Sequence, residues 1–554
     1  MPLDTHLGRT LLFLVLTLGT SASLSAQEFG NCIPGSASAT LNENEVAANL
    51  FTNGNLFFDG TSARYEVPQG GGVQAVFAQG LWVAGEVDGE LRISAATYGG
   101  YEFWPGPLGD DAEPPADCSD FDRIWVVSRE DIDTFEDSGV GTLDLIEWPA
   151  EFGAPVIDGD GNPDNYNLEA GDRPRINGDQ SAWWVTNDVG NAKQTTLSNP
   201  LGLEVRTLAF ASNLFLLRQS TFYEYTVINK NSLPIENAYL AIFSDPDLGD
   251  FEDDYIGSDP ERGLGFVYNG DENDSPAAGG YGTAPPALGY DFFQGPIINE
   301  DVPEVGDDMA PDTLGITFFT YFNNANCDDI CDPDQGTAQS AQQYFNYMTG
   351  RWKDGTRLEF GGDGYSDTED FETNFAFPGN PPDYWSEADT DSDGLANPPG
   401  DRRFVISTGP FTLAPGESQT ITLGILWARG SDRFDSIAQL KALDDEVQLL
   451  YENDALSAED ALPASGFAVG AAYPNPFVRS GDAVRVPYRL DAPEQVEVHV
   501  YDLLGRRVAT LTEGPQSNGV NEVTWMPSSS LPSGMYFVQV LAESGRETVS
   551  VVVR

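Results

Sequence analysis

The chain has 554 residues, 40% of them hydrophobic and 11% aromatic, which is too long for one core and too apolar for a disordered polymer, so the length argues for about three domains. Lys and Arg total 27 against 88 Asp and Glu, a net charge of −61, and a surface of that sign repels nucleic acid and anionic membrane. The two histidines, His6 and His499, fall in the first and last segments, so the stretch between them has no Ser-His-Asp triad, no Cys-His pair and no His-ligated zinc.

Residues 1–26 read as a Sec signal peptide. Arg9 is followed by an apolar run from Leu11 to Leu18 and by small residues to Ala26, and the run is far shorter than the roughly 20 residues a membrane span needs. No later stretch has the length and apolarity to cross a bilayer. The four cysteines form an even set, as expected for an oxidising compartment. Of the three possible pairings, Cys32 with Cys118 and Cys327 with Cys331 are favoured. A cysteine metal site, the alternative, lacks a Cys-x-x-Cys pair or a nearby His.

Residues 27–151 are expected to form an N-terminal β-rich domain. Apolar runs at 73–83, 91–98 and 123–127 are punctuated by Gly70–Gly72 and Gly99–Gly100. Trp82, Tyr98, Tyr101, Phe103, Trp104 and Trp125 suit either a sugar-stacking face or an ordinary β core.

Residues 152–455 are expected to form one or more acidic β-rich passenger domains with calcium loops. Asp158, Asp160, Asn162, Asp164 and Glu169 fall at positions 1, 3, 5, 7 and 12 of a calcium-loop pattern, which a hard cation needs for its oxygens, although Pro163 stands where that pattern has a turn glycine. The flanks are not helical, so this is a bare loop rather than an EF-hand. Thr221–Asn229 and Ile235–Phe243 read as a hairpin joined at Asn231–Pro234. Directly after it, Asp245, Asp247, Asp253 and Asp254 crowd like charges that a bound cation would relieve. A second calcium-type run, Asp389, Asp391 and Asp393 before Gly394, has Gly400 where a closing Glu belongs, with Asp401 one place on as the substitute. Solvated acidic turns are the competing reading for all three. Strands are expected at 403–407 and 417–427, then a helix capped by Ser431 and running to about Asn453, with Phe434, Ile437, Leu440, Leu443, Val447 and Leu450 on one face.

Residues 456–470, rich in Ala, Ser and Gly, read as a linker. The closing segment 471–554 alternates apolar and polar residues, as at Val484, Val486, Tyr488 and Leu490 and again at Val496, Val498 and Val500, the pattern of half-buried strands in a small β-sandwich. His499 should alternate to the solvent side. From Ala468 on, nine acids face seven bases, so nearly all of the negative excess lies upstream.

Tyr473-Pro474-Asn475-Pro476-Phe477, the run Val500–Val508 through Gly505, the run Leu531–Val538 with Gly534 and Tyr536, and the terminal Val551–Arg554 together resemble the C-terminal sorting domain of type IX (Por) secretion cargo, related to Ig-like, hook-capping-type β-sandwiches. The resemblance implies export to the outer cell surface or the medium, with the type IX outer-membrane translocon as partner. The run Gly178–Asp188 resembles other secreted passengers of that class, a likeness that implies no activity. The fold expected is mainly β, a multi-domain β-sandwich-type passenger with a few helices followed by a small Ig-like sandwich. The function expected is a non-enzymatic, calcium-stabilised structural or adhesive protein of the cell surface. A glycan-binding protein, or a glycan-cleaving one using two carboxylates, is the alternative.

Overall fold

The computed structural model describes residues 30–554 apart from 100, 164, 215, 300–311, 324–339, 366–370, 453–455, 457–466, 471, 473–482, 491, 504–505, 529–530, 533 and 554. In chain order the main strands upstream of the linker are β1 (Ala78–Val87), β2 (Gln180–Asn187), β3 (Leu203–Ala211), β4 (Ser220–Asn229), β5 (Ile235–Asp245), β6 (Asp254–Asp259), β7 (Leu264–Asn269), β8 (Ala287–Gln294), β9 (Phe318–Asn323), β10 (Arg402–Leu413) and β11 (Ser418–Ala428). The helices are α1 (Arg129–Ser138), α2 (Leu143–Ile146), α3 (Ala341–Met348) and α4 (Arg433–Glu452).

These strands make two antiparallel sheets. One runs β9-β10-β5-β1 and adds Asn55–Leu56 and Glu90–Ala95 beside β1. The other runs β6-β7-β8-β11-β4-β3-β2 and adds Trp104–Pro105 and Trp125–Ser128 beside β2. Their inner faces share one core. Phe404 of β10 meets Tyr290 of β8 edge-on, with ring centroids 5.0 Å apart, and Ser244 Oγ of β5 donates to the Tyr290 hydroxyl at 2.8 Å.

The outer faces are covered as well. Trp82 of β1 packs edge-on against Tyr344 of α3 at 4.9 Å. On the larger sheet, α4 lays Ile437, Leu440 and Val447 on Phe210, Phe222 and Phe266, while Ile132 of α1 and Leu145 of α2 cover Trp183 and Val185. Strands covered on both sides read as unbroken apolar runs rather than alternations, which is why every residue of β2 is buried.

This architecture departs from the expected domain division. Strands before residue 151 join both sheets, so residues 27–151 are part of the same sandwich as the segment that follows and not a domain with its own core. The expected hairpin at 221–243 is also replaced. β4 and β5 follow one another in sequence but lie in different sheets, β4 between β3 and β11 and β5 between β1 and β10. The segment Lys230–Pro234 is therefore a corner between layers. The turn between β10 and β11 is a second such corner beside it, and Asn229 holds the two together: its side-chain amide donates to Leu233 O at 3.0 Å and to Leu413 O at 2.9 Å, and its carbonyl accepts from Gly416 N at 2.8 Å. Helix α4 begins as expected, but its first free N–H groups at Phe434 and Asp435 are capped by the Asp432 side chain rather than by Ser431.

Cys32 and Cys118 are joined in a disulfide with Cα atoms 5.4 Å apart, packed against Trp104. Cys327 and Cys331 lie outside the described residues.

In the C-terminal sandwich, Ala468–Val469, Val484–Leu490 and Gly519–Trp525 form one sheet, and Glu494–Asp502, Arg507–Gln516, Gly534–Ala542 and Arg546–Val553 form another, so the end of the expected 456–470 linker is a strand paired with Tyr488–Arg489. Val484, Val486, Tyr488, Val496, Val498, Val500, Val538 and Val540 fill the space between them, so the alternation seen in the sequence is the burial pattern. Tyr536 is buried against Trp525, Gly534 opens its strand, and Tyr473, Pro474, Asn475, Pro476 and Gly505 lie outside the described residues. His499 corrects the expectation. It points off the core face but is only 5% exposed, because Glu497, Arg507 and Thr510 close over its ring from the adjoining strand positions. Among the described residues, no helix is long and apolar enough to cross a membrane.

Candidate metal centre

At the C-terminal end of β5 the chain leaves the smaller sheet with Asp245, turns through Asp247 to Gly249, and enters β6 at Asp254. Antiparallel pairing sets Ser244 opposite Phe404, so the start of β10, with Asp401 and Arg403, comes back to the same end. The turn needs left-handed backbone at Asp247, whose φ is 24°, and at Gly249, whose φ is 83°. Any side chain at 249 would strike the Asp274 carboxylate, since a Cβ there would sit 2.2 Å from Oδ2.

Carboxylate oxygens of Asp245, Asp247 and Asp401 all lie within 4.8 Å of one another. Asp245 is fully buried, and its Oδ2 accepts from Arg403 Nη2 at 2.8 Å while Oδ1 has no hydrogen-bond partner. Arg403 also pairs with Asp401 and donates from Nε to the Tyr98 hydroxyl at 2.8 Å. Asp254, 1% exposed, accepts from Leu248 N at Oδ2 and leaves its own Oδ1 unpartnered. The neighbouring cation, Arg402, is committed to Glu387 at 2.8 Å. Asp245, Asp247 and Asp401 thus share the Arg403 guanidinium, with the Asp254 carboxylate beside Asp247.

The cost of that arrangement appears in the ionisation of the acids. Burial, then Asp247, pushes the Asp245 carboxyl well above the usual carboxylate range against the pull of Arg403. Burial with Asp401 and Asp254 pushes Asp247 up to about 7, and burial raises Asp254 well above its ordinary value. Each group needs either a proton or a cation beside it. The donor set is all oxygen, without sulfur or imidazole, which suits a hard ion such as calcium.

The other acids named from the sequence are arranged differently. Asp253 is not part of this cluster: its carboxylate pairs with Asn269 Nδ2, and burial together with Asp274, Asp250 and Asp271 lifts it to about 7. In the first calcium-type loop, Asp158 and Asp160 do come together, but the third carboxylate is Asp172 and not Glu169. Glu169 sits exposed in a short 3-10 turn, whereas Asp172 is buried and accepts from Gly159 N at 2.9 Å and Asn167 N at 2.7 Å. Asn162 offers its main-chain N–H to Asp160 at 2.8 Å, and Asp164 lies outside the described residues. In the second loop, Asp389 accepts from Gly394 N at 3.1 Å and Asp391 from Asp393 N and Leu395 N, so these side chains close turns on their own backbone. Asp393 is exposed, and Asp401, weighed as this loop's closing ligand, belongs to the buried centre instead.

The aromatic residues do not form a face. Trp82, Phe103, Trp104 and Trp125 are all buried, Tyr98 is committed to Arg403, and of the six only Tyr101 is exposed.

No curated protein matches this chain. Among solved structures, a polysaccharide lyase aligns at 11% identity over 63% of this chain and 34% of its own length, with a TM-score of 0.18. The trimeric ectodomain of the C. elegans fusion protein EFF-1 aligns at 7% identity over 94% of this chain and 96% of its own, with a TM-score of 0.13. Likenesses this slight carry no argument about fold or activity. Residues 471–554 match the family of secretion system C-terminal sorting domains, and the chain is accordingly a type IX secretion cargo, bearing the tail that directs it to the cell surface or the outside.

Proposed function

We propose that the passenger is a non-enzymatic, calcium-stabilised protein with a structural or adhesive role at the cell surface, and that Asp245, Asp247 and Asp401 hold the ion. The observation that carries this reading is Asp245 itself: a fully buried carboxylate with one oxygen unpartnered, in reach of two further carboxylates. A divalent ion would complete that oxygen and offset the excess charge that Arg403 leaves. It would also tie the end of β5 to the start of β10. The Asp158–Asp160–Asp172 group, in which Asp158 and Asp160 are exposed and only Asp172 is buried, is a weaker set for the same ion. The glycan-binding alternative is less favoured, since four of the six rings named for it, Trp82, Phe103, Trp104 and Trp125, are core residues.

Equilibrium dialysis of the exported protein against calcium tests the assignment. The expected result is saturable binding that falls by one ion per chain in Asp247→Asn, a change that keeps the shape of the side chain and removes its charge. Equal binding by the two proteins would remove the site.

A further inference from the structure

Helix α4 covers the larger sheet with an apolar face, yet that face contains an acid. Asp444 lies between Leu440 and Val447 and is 2% exposed; opposite it on β8 is Asp291, 1% exposed. The two carboxyl groups are in hydrogen-bond contact. Asp291 Oδ1 and Asp444 Oδ1 each lack a partner that can donate. The turn position beside Asp291 takes no side chain, since a Cβ at Gly263 would stand 2.7 Å from Asp291 Oδ1.

The nearby cations are committed elsewhere. Arg262, in the turn between β6 and β7, pairs with Asp259 of β6 at 2.9 Å and with Asp445 of α4 at 2.9 Å, and Lys441 of α4 pairs with Asp259 at 2.9 Å. The remaining ionisable groups on the interface are the phenols Tyr255 of β6, Tyr268 of β7 and Tyr451 of α4 and the carboxyls of Glu446 on α4 and Glu224 on β4, both pushed up by burial, while β11 presents Thr422, Gly424 and Leu426, which carry no charge. Two carboxyl groups in contact inside an apolar interface cannot both be ionised, and a third acid that would make a cation cage is missing among the described residues.

We propose that Asp291 and Asp444 share a proton when α4 is docked, and that this proton makes docking of the helix pH-dependent. A shared proton gives each unpartnered oxygen a hydrogen-bond role without a metal. The direction follows from linkage. Undocked, both acids return to solution values near 4; docked, burial pushes Asp444 up to about 7 and Asp291 well above the usual range. Between those limits the docked state binds more protons than the undocked one, so docking is strongest at acid pH and weakens as pH rises toward 7. Helix α4 is the last element before the linker to the sorting domain, so the proton would regulate how firmly the passenger holds the segment that leads to its export tail.

Hydrogen exchange on the full chain tests this, read as protection of α4 amides relative to those of β4 and corrected for intrinsic rates. In the wild type that ratio should fall roughly tenfold per pH unit between pH 5 and 7. Asp291→Asn with Asp444→Asn keeps two hydrogen-bonding groups of the same shape without a titrating proton, and its ratio should stay flat. The proposal is overturned by a flat wild-type ratio, by a double variant as pH-dependent as the wild type, or by a ratio that follows added calcium instead of pH.

Discussion

Glu387 and Arg402 form an ion pair that is almost fully enclosed, with Glu387 also accepting from Ile256 N at 2.6 Å and Arg402 donating to Asn323 Oδ1 at 2.8 Å and to Pro398 O at 2.6 Å. Because the two charges compensate each other in a buried setting, removing one leaves the other buried and uncompensated. Arg402→Ala should therefore destabilise the passenger by about 3–5 kcal/mol, read from the urea midpoint at constant slope. The acids beside the pair behave in the opposite sense. Asp247, lifted to about 7 from an ordinary 3.8, keeps a proton in the folded chain that the unfolded chain has already lost between pH 4 and 7. Without a cation, the stability tied to that proton is complete below pH 4 and is lost as pH rises through 7. A bound ion replaces the proton, so the effect of calcium should grow over the same window.

At the scale of elements, the sequence was most informative where one face of a strand or helix meets a core and the other meets water. The alternation through Val484–Leu490 and the spacing of Ile437, Leu440 and Val447 on α4 both reappear as buried faces. It was least informative where strands are covered on both sides. β4 and β5 are adjacent, apolar and joined by a short Pro-containing turn, and local pattern has no means of distinguishing a hairpin from a corner between sheets; that depends on β1, β3, β10 and β11, up to about 200 residues away. The metal centre shows the same limit. Asp245 and Asp247 stood out as a local cluster, but their third partner, Asp401, reaches them only because β10 runs antiparallel to β5. Spacing misplaced the first loop's closing acid for a different reason: the 3-10 turn at Leu168–Ala170 points Glu169 to solvent and brings Asp172 back to Gly159.

At the scale of the whole molecule, the charge and the export tail divide the work. The tail is close to neutral and matches the sorting family over 471–554, so it is the part that the secretion machinery reads. Removing Tyr473–Arg554 should leave the passenger folded and retained inside the cell envelope, and fractionation of cells carrying the truncated chain checks this; arrival in the medium at the full-length level would contradict it. The upstream sandwich carries nearly all of the negative excess, some of it buried where salt cannot screen it. The most direct test is thermal unfolding of the exported protein at pH 7.5 in high sodium chloride, with calcium or with chelator, for wild type and Asp247→Asn. An ion at a hundred times its dissociation constant adds about 2.7 kcal/mol per site, so calcium should raise the wild-type midpoint by a few degrees and that rise should shrink in the variant. A wild-type midpoint indifferent to calcium and chelator in high salt would contradict the account.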